Sequence, residues 1–227
     1  MGFIMLVTAI VPVLTMRQRV PSSVRRDLLD YGAFKDIPYL LFNIGVFFGF
    51  MGIFVVFFYV TLYAVEVCKT DTNLAFYLLP IISGASVFGR LIPNFIADTT
   101  GPLNIEILFA FITALLAFSW IAIQSTSGLI VFCVFYGFFS GPFVSIAGPA
   151  IISLTPNLRI LGTRMGMTFT FIGIGVLIGT PVAGAFLRSN RGWLGLQVWS
   201  GSVLAVSGVF ILAARITKVG FGLRAKA

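Results

Sequence analysis

Residues 86–104 read SVFGRLIPNFIADTTGPLN. Arg90 sits inside a run that is otherwise apolar, and Pro93, Asn94 and Asp98 follow at close spacing. Side chains four residues apart lie on one face of a helix. Ser86, Arg90 and Asn94 therefore form a stripe, which Asp98 extends. Gly101-Pro102 then makes a tight turn, so that 98–104 reads as a short connection between two apolar runs. A fixed positive charge within such a run needs a physical reason.

The rest of the chain explains how unusual that charge is. Of 227 residues, 59% are hydrophobic and 10% charged, and the mean hydropathy is +1.06. Globular domains in water carry about 25% charged residues, so this is a chain for a bilayer. Its net charge of +8 bears on membrane orientation and gives no reason to expect a nucleic-acid partner. Histidine is absent, which excludes a histidine metal site or proton relay. Cys68 and Cys133 fall in different segments with no metal-ligand spacing. No cofactor or metal is expected.

A spanning helix needs about 20 mostly apolar residues. Six runs qualify: 39–65, 74–97, 105–123, 128–154, 165–187 and 193–216. They are too long and continuous for barrel strands, so only helices satisfy their backbones in lipid. The fold expected is an all-α membrane protein with six transmembrane helices. A further apolar run, 1–16, is too short to span and lacks the features of a cleaved leader. It reads as the tail of a truncated transmembrane helix. A charged linker, 17–37, follows it, with a short surface helix expected around 24–33, and 217–227 is a basic tail.

Basic residues give the orientation. Arg17, Arg19, Arg25, Arg26, Lys35, Arg159, Arg164, Arg215, Lys218, Arg224 and Lys226 fall on one side of the bilayer. Lys69, Arg188 and Arg191 fall on the other, and Arg90 belongs to neither. The richer side is cytoplasmic by the positive-inside rule, which places the C-terminus inside. The plasma membrane is the default location. Tyr39, Tyr63, Trp193 and Trp199 lie near the ends of spans, as interfacial anchors do.

The spans are rich in small residues, which let helices approach closely in lipid. In 128–154, Gly141-Pro142 and Gly148-Pro149 add sites for a bend or break of the kind that transporters use to line a path. Gly173–Gly179 has glycines inside a spanning run without a preceding strand, and is no dinucleotide fingerprint. No nucleotide-binding loop, paired catalytic carboxylates or hydrolase motif is present, so an enzyme is not expected.

Arg90 lies about 7 residues, roughly 10 Å, inside the cytoplasmic end of its run. Two readings stand side by side: an arginine that snorkels to the interface, or one that meets an anion in a water-filled cavity. Asp98 is an acid on the positive side. Arg159 or Arg164 is its expected partner, in a pair that latches the inner gate.

GRLIPNFIADTTGPLN resembles the loop between the eighth and ninth helices of the major facilitator superfamily, in its monocarboxylate-porter-like branch of fungal type. LLDYGAFKDIPYLLFNIGVFFGFMG, YGFFSGPFVSIAGP and RMGMTFTFIGIGVLIGTPVAGAF resemble the approach to the seventh helix, the tenth helix and the eleventh. The resemblance implies that 38–216 is the C-terminal six-helix bundle of a twelve-helix secondary transporter. It also implies a missing N-terminal half, or a second half-transporter, as partner. Substrate lies between the two bundles in that family, and rocking of the bundles gives alternating access.

Carried onto this chain, the resemblance makes Arg90 the contact for a substrate carboxylate, with Asn94 beside it. It maps the tenth-helix pathway near Phe139, Ser140 and Phe143. Related animal carriers have a proton-coupling aspartate one turn before the arginine; here Ser86 stands in that position, so this half shows no evident proton acceptor for symport. The activity expected is transport of small, monocarboxylate-like organic anions. The alternative is a non-transporting fragment or orphan half with an interaction role.

Overall fold

In a computed structural model, residues 2–15, 29–157 and 159–220 are described. Seven α-helices occur among them: α1 Gly2–Thr15, α2 Ile37–Glu66, α3 Thr72–Thr100, α4 Pro102–Ser119, α5 Thr126–Leu154, α6 Leu161–Arg188 and α7 Gly192–Val219. There is no strand among the described residues. Helices α2 to α7 are each long and apolar enough to cross a membrane, α4 with the short 3₁₀ turn that follows it. The all-α, six-span reading therefore stands. The surface helix expected around 24–33 begins outside the described residues; Tyr31–Lys35 is a 3₁₀ turn.

Local chemistry explains the ends of the helices. The Asp71 carboxylate accepts from the Asn73 amide, and the Ser125 hydroxyl accepts from the Gly128 amide, capping α3 and α5. Helix α3 runs on through Asp98 to Thr100, so the connection to α4 is shorter than the sequence suggests. The Thr99 and Thr100 hydroxyls both donate to the Ile96 carbonyl, which keeps these polar residues helical. The chain turns at Gly101, whose φ of 97° favours glycine, and Pro102 starts α4. Gly141-Pro142 and Gly148-Pro149, the sites offered for a bend or break, lie inside α5, which continues through Pro142 and Pro149.

Around the bundle, neighbours follow the order α3, α5, α4, α7, α2, α6. The two helices at the ends of this order are the least covered. Within their most apolar windows, α3 is 28% and α6 22% buried, against 61% for α2. One flank of the bundle, built by α3 and α6, is thus open and carries exposed Phe88, Phe95, Phe169 and Leu177.

Lipid supplies no hydrophobic drive between helices, so close backbone approach and internal hydrogen bonds hold the bundle. Gly89 and Gly137 each lie against a backbone carbonyl, of Phe138 and Ile82 respectively, across the α3–α5 seam. At Gly141 an added Cβ would stand 2.7 Å from the Ser86 carbonyl oxygen. Gly175 and Gly179 press on the backbone of Phe47 and Met51 between α6 and α2. The Tyr136 hydroxyl donates to the Ile53 carbonyl at 2.9 Å, and the Ser200 hydroxyl to the Gly52 carbonyl at 3.0 Å. Tyr39 and Tyr63 are interior ties: both are buried, and their hydroxyls donate to the Arg164 and Ile123 carbonyls.

Gly141→Ala is expected to destabilise the bundle by about 1–3 kcal/mol, because the seam cannot open without moving two backbones. Gly173→Ala, where nothing lies within 4 Å, is expected to be neutral or slightly stabilising. Thermal unfolding of the two purified variants in detergent measures the contrast.

Candidate functional site

The α3 stripe divides by depth. Ser86 is buried, and its hydroxyl donates to the Ser83 carbonyl at 2.7 Å. Arg90 is exposed on the same helix. Counted on the observed helix, Arg90 stands only about 6 Å from the midpoint of Thr72–Thr100, deeper than the sequence boundaries imply. The Asn94 amide donates to the Arg90 carbonyl at 2.6 Å and to the Ser145 hydroxyl of α5 at 3.2 Å. This ties the stripe to α5 and leaves the guanidinium of Arg90 free to reach outward.

A cavity of about 550 Å³ opens beside that stripe, between α3, the Gly101 turn, α5 and the end of α7. Arg90, Asn94, Asp98, Ser153 and Lys218 supply its polar groups. Leu91, Phe95 and Pro149 are among its apolar walls. Among the described residues, neither Arg90, Asp98 nor Lys218 takes part in an ion pair. Three unpaired charges thus border one space, which suits an amphipathic ligand with an anionic group.

The other expected site residues lie elsewhere. Phe143 is fully buried with its ring 5.6 Å from that of Phe50. Ser140 is buried, its hydroxyl directed to the Gly137 carbonyl at 3.3 Å. Phe139 packs on Phe109 and Phe138, at 5.5 and 5.2 Å between rings. The glycine seam explains this placement. Drawing Gly137 and Gly141 onto α3 turns neighbouring side chains of α5 into the bundle, away from Arg90's cavity.

The expected pairing of Asp98 with Arg159 or Arg164 is not the pairing seen. Arg164 donates through Nε to Asp30 at 3.0 Å and through Nη1 to Asp36 at 2.7 Å. Nη1 also donates to the Leu154 carbonyl at 3.3 Å, and the guanidinium carbon lies 4.8 Å from the centre of the Tyr39 ring. Arg164 thereby ties the segment before α2 to the start of α6 and the end of α5. Arg159 has its backbone amide capped by the Asn157 side chain, whose Oδ1 accepts from it at 3.0 Å.

Sequence reasoning did not single out Lys218 for this cavity, having counted it only as an inside charge. Its place just past the last apolar run, on the same side of the membrane as Asp98, was the available signal. Sequence reasoning set Glu106 aside as an acid near a span end; Glu106 is fully buried in α4, and among the described residues neither of its oxygens has a hydrogen-bond partner. Glu106 does not line the cavity.

No family model matches the chain. Curated proteins are nevertheless similar to nearly all of it. The MFS-type transporter dbaD of Emericella nidulans is 39% identical over 215 residues, which is 94% of this chain and 48% of that protein. The aspyridones efflux protein apdF of Emericella nidulans is 39% identical over 215 residues, or 95% of this chain and 44% of that protein. The agnestins efflux protein AgnL12 of Paecilomyces divaricatus is 39% identical over 198 residues, or 87% and 45%. The chain spans about half the length of the curated relatives it matches. With six apolar spans in place, these relationships support the major facilitator superfamily as the setting of this multi-pass membrane chain.

Removing both acids that hold Arg164, in the Asp30→Asn/Asp36→Asn variant, is expected to cost about 3 kcal/mol, since it leaves a buried cation without its partners. Asp36→Asn alone costs less, because Asp30 remains on Nε. Thermal unfolding of the purified protein separates the two; equal loss in the single and double variants would contradict a shared clamp.

Proposed function

We propose that this chain supplies one six-helix bundle of a secondary transporter that moves organic anions by alternating access, in the monocarboxylate-porter-like branch of its superfamily. The observation that carries this reading is Arg90, unpaired and near the middle of α3, bordering a cavity. A charge at that depth is expensive unless something meets it, and a carboxylate meets a guanidinium through two parallel hydrogen bonds. Asn94 fixes Arg90's helix against α5, while Leu91, Phe95 and Pro149 receive the apolar body of the ligand.

Phe139, Ser140 and Phe143 serve this site by packing α5 in place. Asp98 borders the inner mouth of the cavity, and the clamp of Arg164 holds the start of α6 beside α2. Two relatives are named efflux proteins, and export is the direction proposed here. A second six-helix unit covers the open flank of α3 and α6, and closes the cavity from the side this bundle leaves bare.

Transport of labelled benzoate into inside-out vesicles bearing the full-length protein tests the site. Arg90→Ala is expected to lower the rate at least tenfold, in keeping with about 1.5–3 kcal/mol for a hydrogen bond to a charged group. Unchanged transport in that variant would remove Arg90 from the site.

The orientation is tested by Cys68, which lies in the connection between α2 and α3 on the outer side. A membrane-impermeant maleimide is expected to label it in intact spheroplasts. Burial pushes the Cys68 thiol above its ordinary range, and the thiolate is the reactive form. Labelling should therefore be slow near neutral pH and faster as pH rises. Labelling only after the membrane is opened would reverse the assignment.

A further inference from the structure

We propose that Glu106 is a proton-binding switch on the inner side of the bundle: as the neutral acid it lets the start of α4 seat against α5 and α7, and on losing its proton it draws water in and frees the Gly101-Pro102 wall of the cavity. The switch works in the same way whichever ligand the cavity takes.

Glu106 is fully buried, and among the described residues neither of its oxygens has a hydrogen-bond partner. The Thr113 hydroxyl, two turns further along α4, donates to the Phe139 carbonyl of α5 at 3.1 Å. Two turns back from that bond on α4 is Glu106, and two turns on along the antiparallel α5 is Ile146, so the two residues are level. Ile146 and its neighbours Ala147 and Ala150 are buried and apolar. An isolated charge costs far more to bury than a neutral polar group. Such surroundings hold a carboxyl only with its proton on.

No charged group on the elements packed against α4 offsets that cost. On α7, Arg215 donates through Nε to Asn104 at 2.6 Å and through Nη1 to the Gly220 carbonyl at 3.3 Å. Lys218 borders the cavity, as do Arg90 and Asp98 of α3, and Glu106 does not line that space. Tyr77 is near the outer end of α3. Helix α5 has no charged residue, and its Cys133 and Tyr136 lie more than two turns outward of Ile146. On α2, the Tyr39 hydroxyl donates to the Arg164 carbonyl, while Tyr59, Tyr63 and Glu66 are in the outer half. Helix α4 lies between α5 and α7, away from the open flank of α3 and α6. The surroundings of Glu106 are therefore this bundle's own.

Position joins the switch to the cavity. Glu106 stands about one turn, roughly 6 Å, after Pro102. Gly101 and Pro102 are cavity wall, and the bond from Arg215 to Asn104 ties this start of α4 to α7. An ionised Glu106 needs water, and the nearer aqueous side is the inner one. Hydrating it lifts the first turns of α4 and the wall with them. The closed bundle keeps a proton that the opened one releases, so closure is favoured at low pH and weakens as pH rises.

Hydrogen–deuterium exchange at residues 103–110, in the purified full-length protein in lipid nanodiscs, measures this opening once the intrinsic rate at each pH is divided out. In wild type the opening is expected to rise by about tenfold or more from about pH 6 to about pH 9, since release of one proton allows up to about tenfold per pH unit. Glu106→Gln is neutral at every pH and should stay within about threefold over that range, as should Glu106→Met, which is close in volume. The infrared difference between wild type and Glu106→Gln at about pH 6 should carry the carbonyl stretch of a protonated carboxyl. A merely structural Glu106 would change overall protection on substitution but would leave no pH slope to lose. A flat wild-type profile, variants that keep the wild-type slope, or carboxylate bands in place of the protonated carboxyl would each overturn the proposal.

Discussion

Everything in this bundle depends on how closely two backbones can lie. Lipid tails solvate an apolar helix as well as another helix does, so burial of leucine or phenylalanine gives no net reason to associate. What remains is dispersion at short range, and glycine allows it. Across the α3–α5 seam, Gly89, Gly137 and Gly141 each meet a carbonyl of the facing helix. Gly175 and Gly179 do the same for α6 on α2. These contacts set the rotation of α3 and α6, the two least covered helices, and so decide which side chains face the open flank. Arg90 reaches the cavity because Gly89, next to it, lies flat on α5.

The number and order of spanning helices were legible because each is a continuous apolar run, and length alone separates such runs from strands. The end of α3 was less so. Asp98, Thr99 and Thr100 look like a turn by composition. They remain helical because both threonine hydroxyls bond back to Ile96 and only Gly101 takes a positive φ. The prolines of α5 mark sites where a helix can bend or break, yet α5 is continuous through both.

The candidate site was half legible. Helical spacing alone put Arg90, Asn94 and Asp98 along one side of α3, and all three border the cavity. Its remaining charge, Lys218, comes from a helix more than a hundred residues away in sequence, and local spacing carries no information across such a gap. The same limit hid the clamp, in which Arg164 and Asp30 are 134 residues apart. It also hid the role of Tyr39: an aromatic at a helix end suggests an interfacial anchor, yet its hydroxyl is spent on the Arg164 carbonyl and its ring on the guanidinium.

Arg90 and Arg164 show how one residue type serves two ends in the same bundle. Arg164 is almost wholly enclosed, and it is matched there by two carboxylates, a carbonyl and an aromatic face. A buried guanidinium is tolerated only with that degree of satisfaction, and the result is a fixed joint between the approach to α2 and the start of α6. Arg90 lies deeper along its helix and has no ion-pair partner among the described residues, although Asp98 and Lys218 border the same cavity. If the bundle needed a second joint there, an acid one turn away would supply it; Ser86 occupies that position instead and turns its hydroxyl onto its own helix. The chain thus sets two acids on the arginine that joins its helices and, among the described residues, none within ion-pair distance of Arg90.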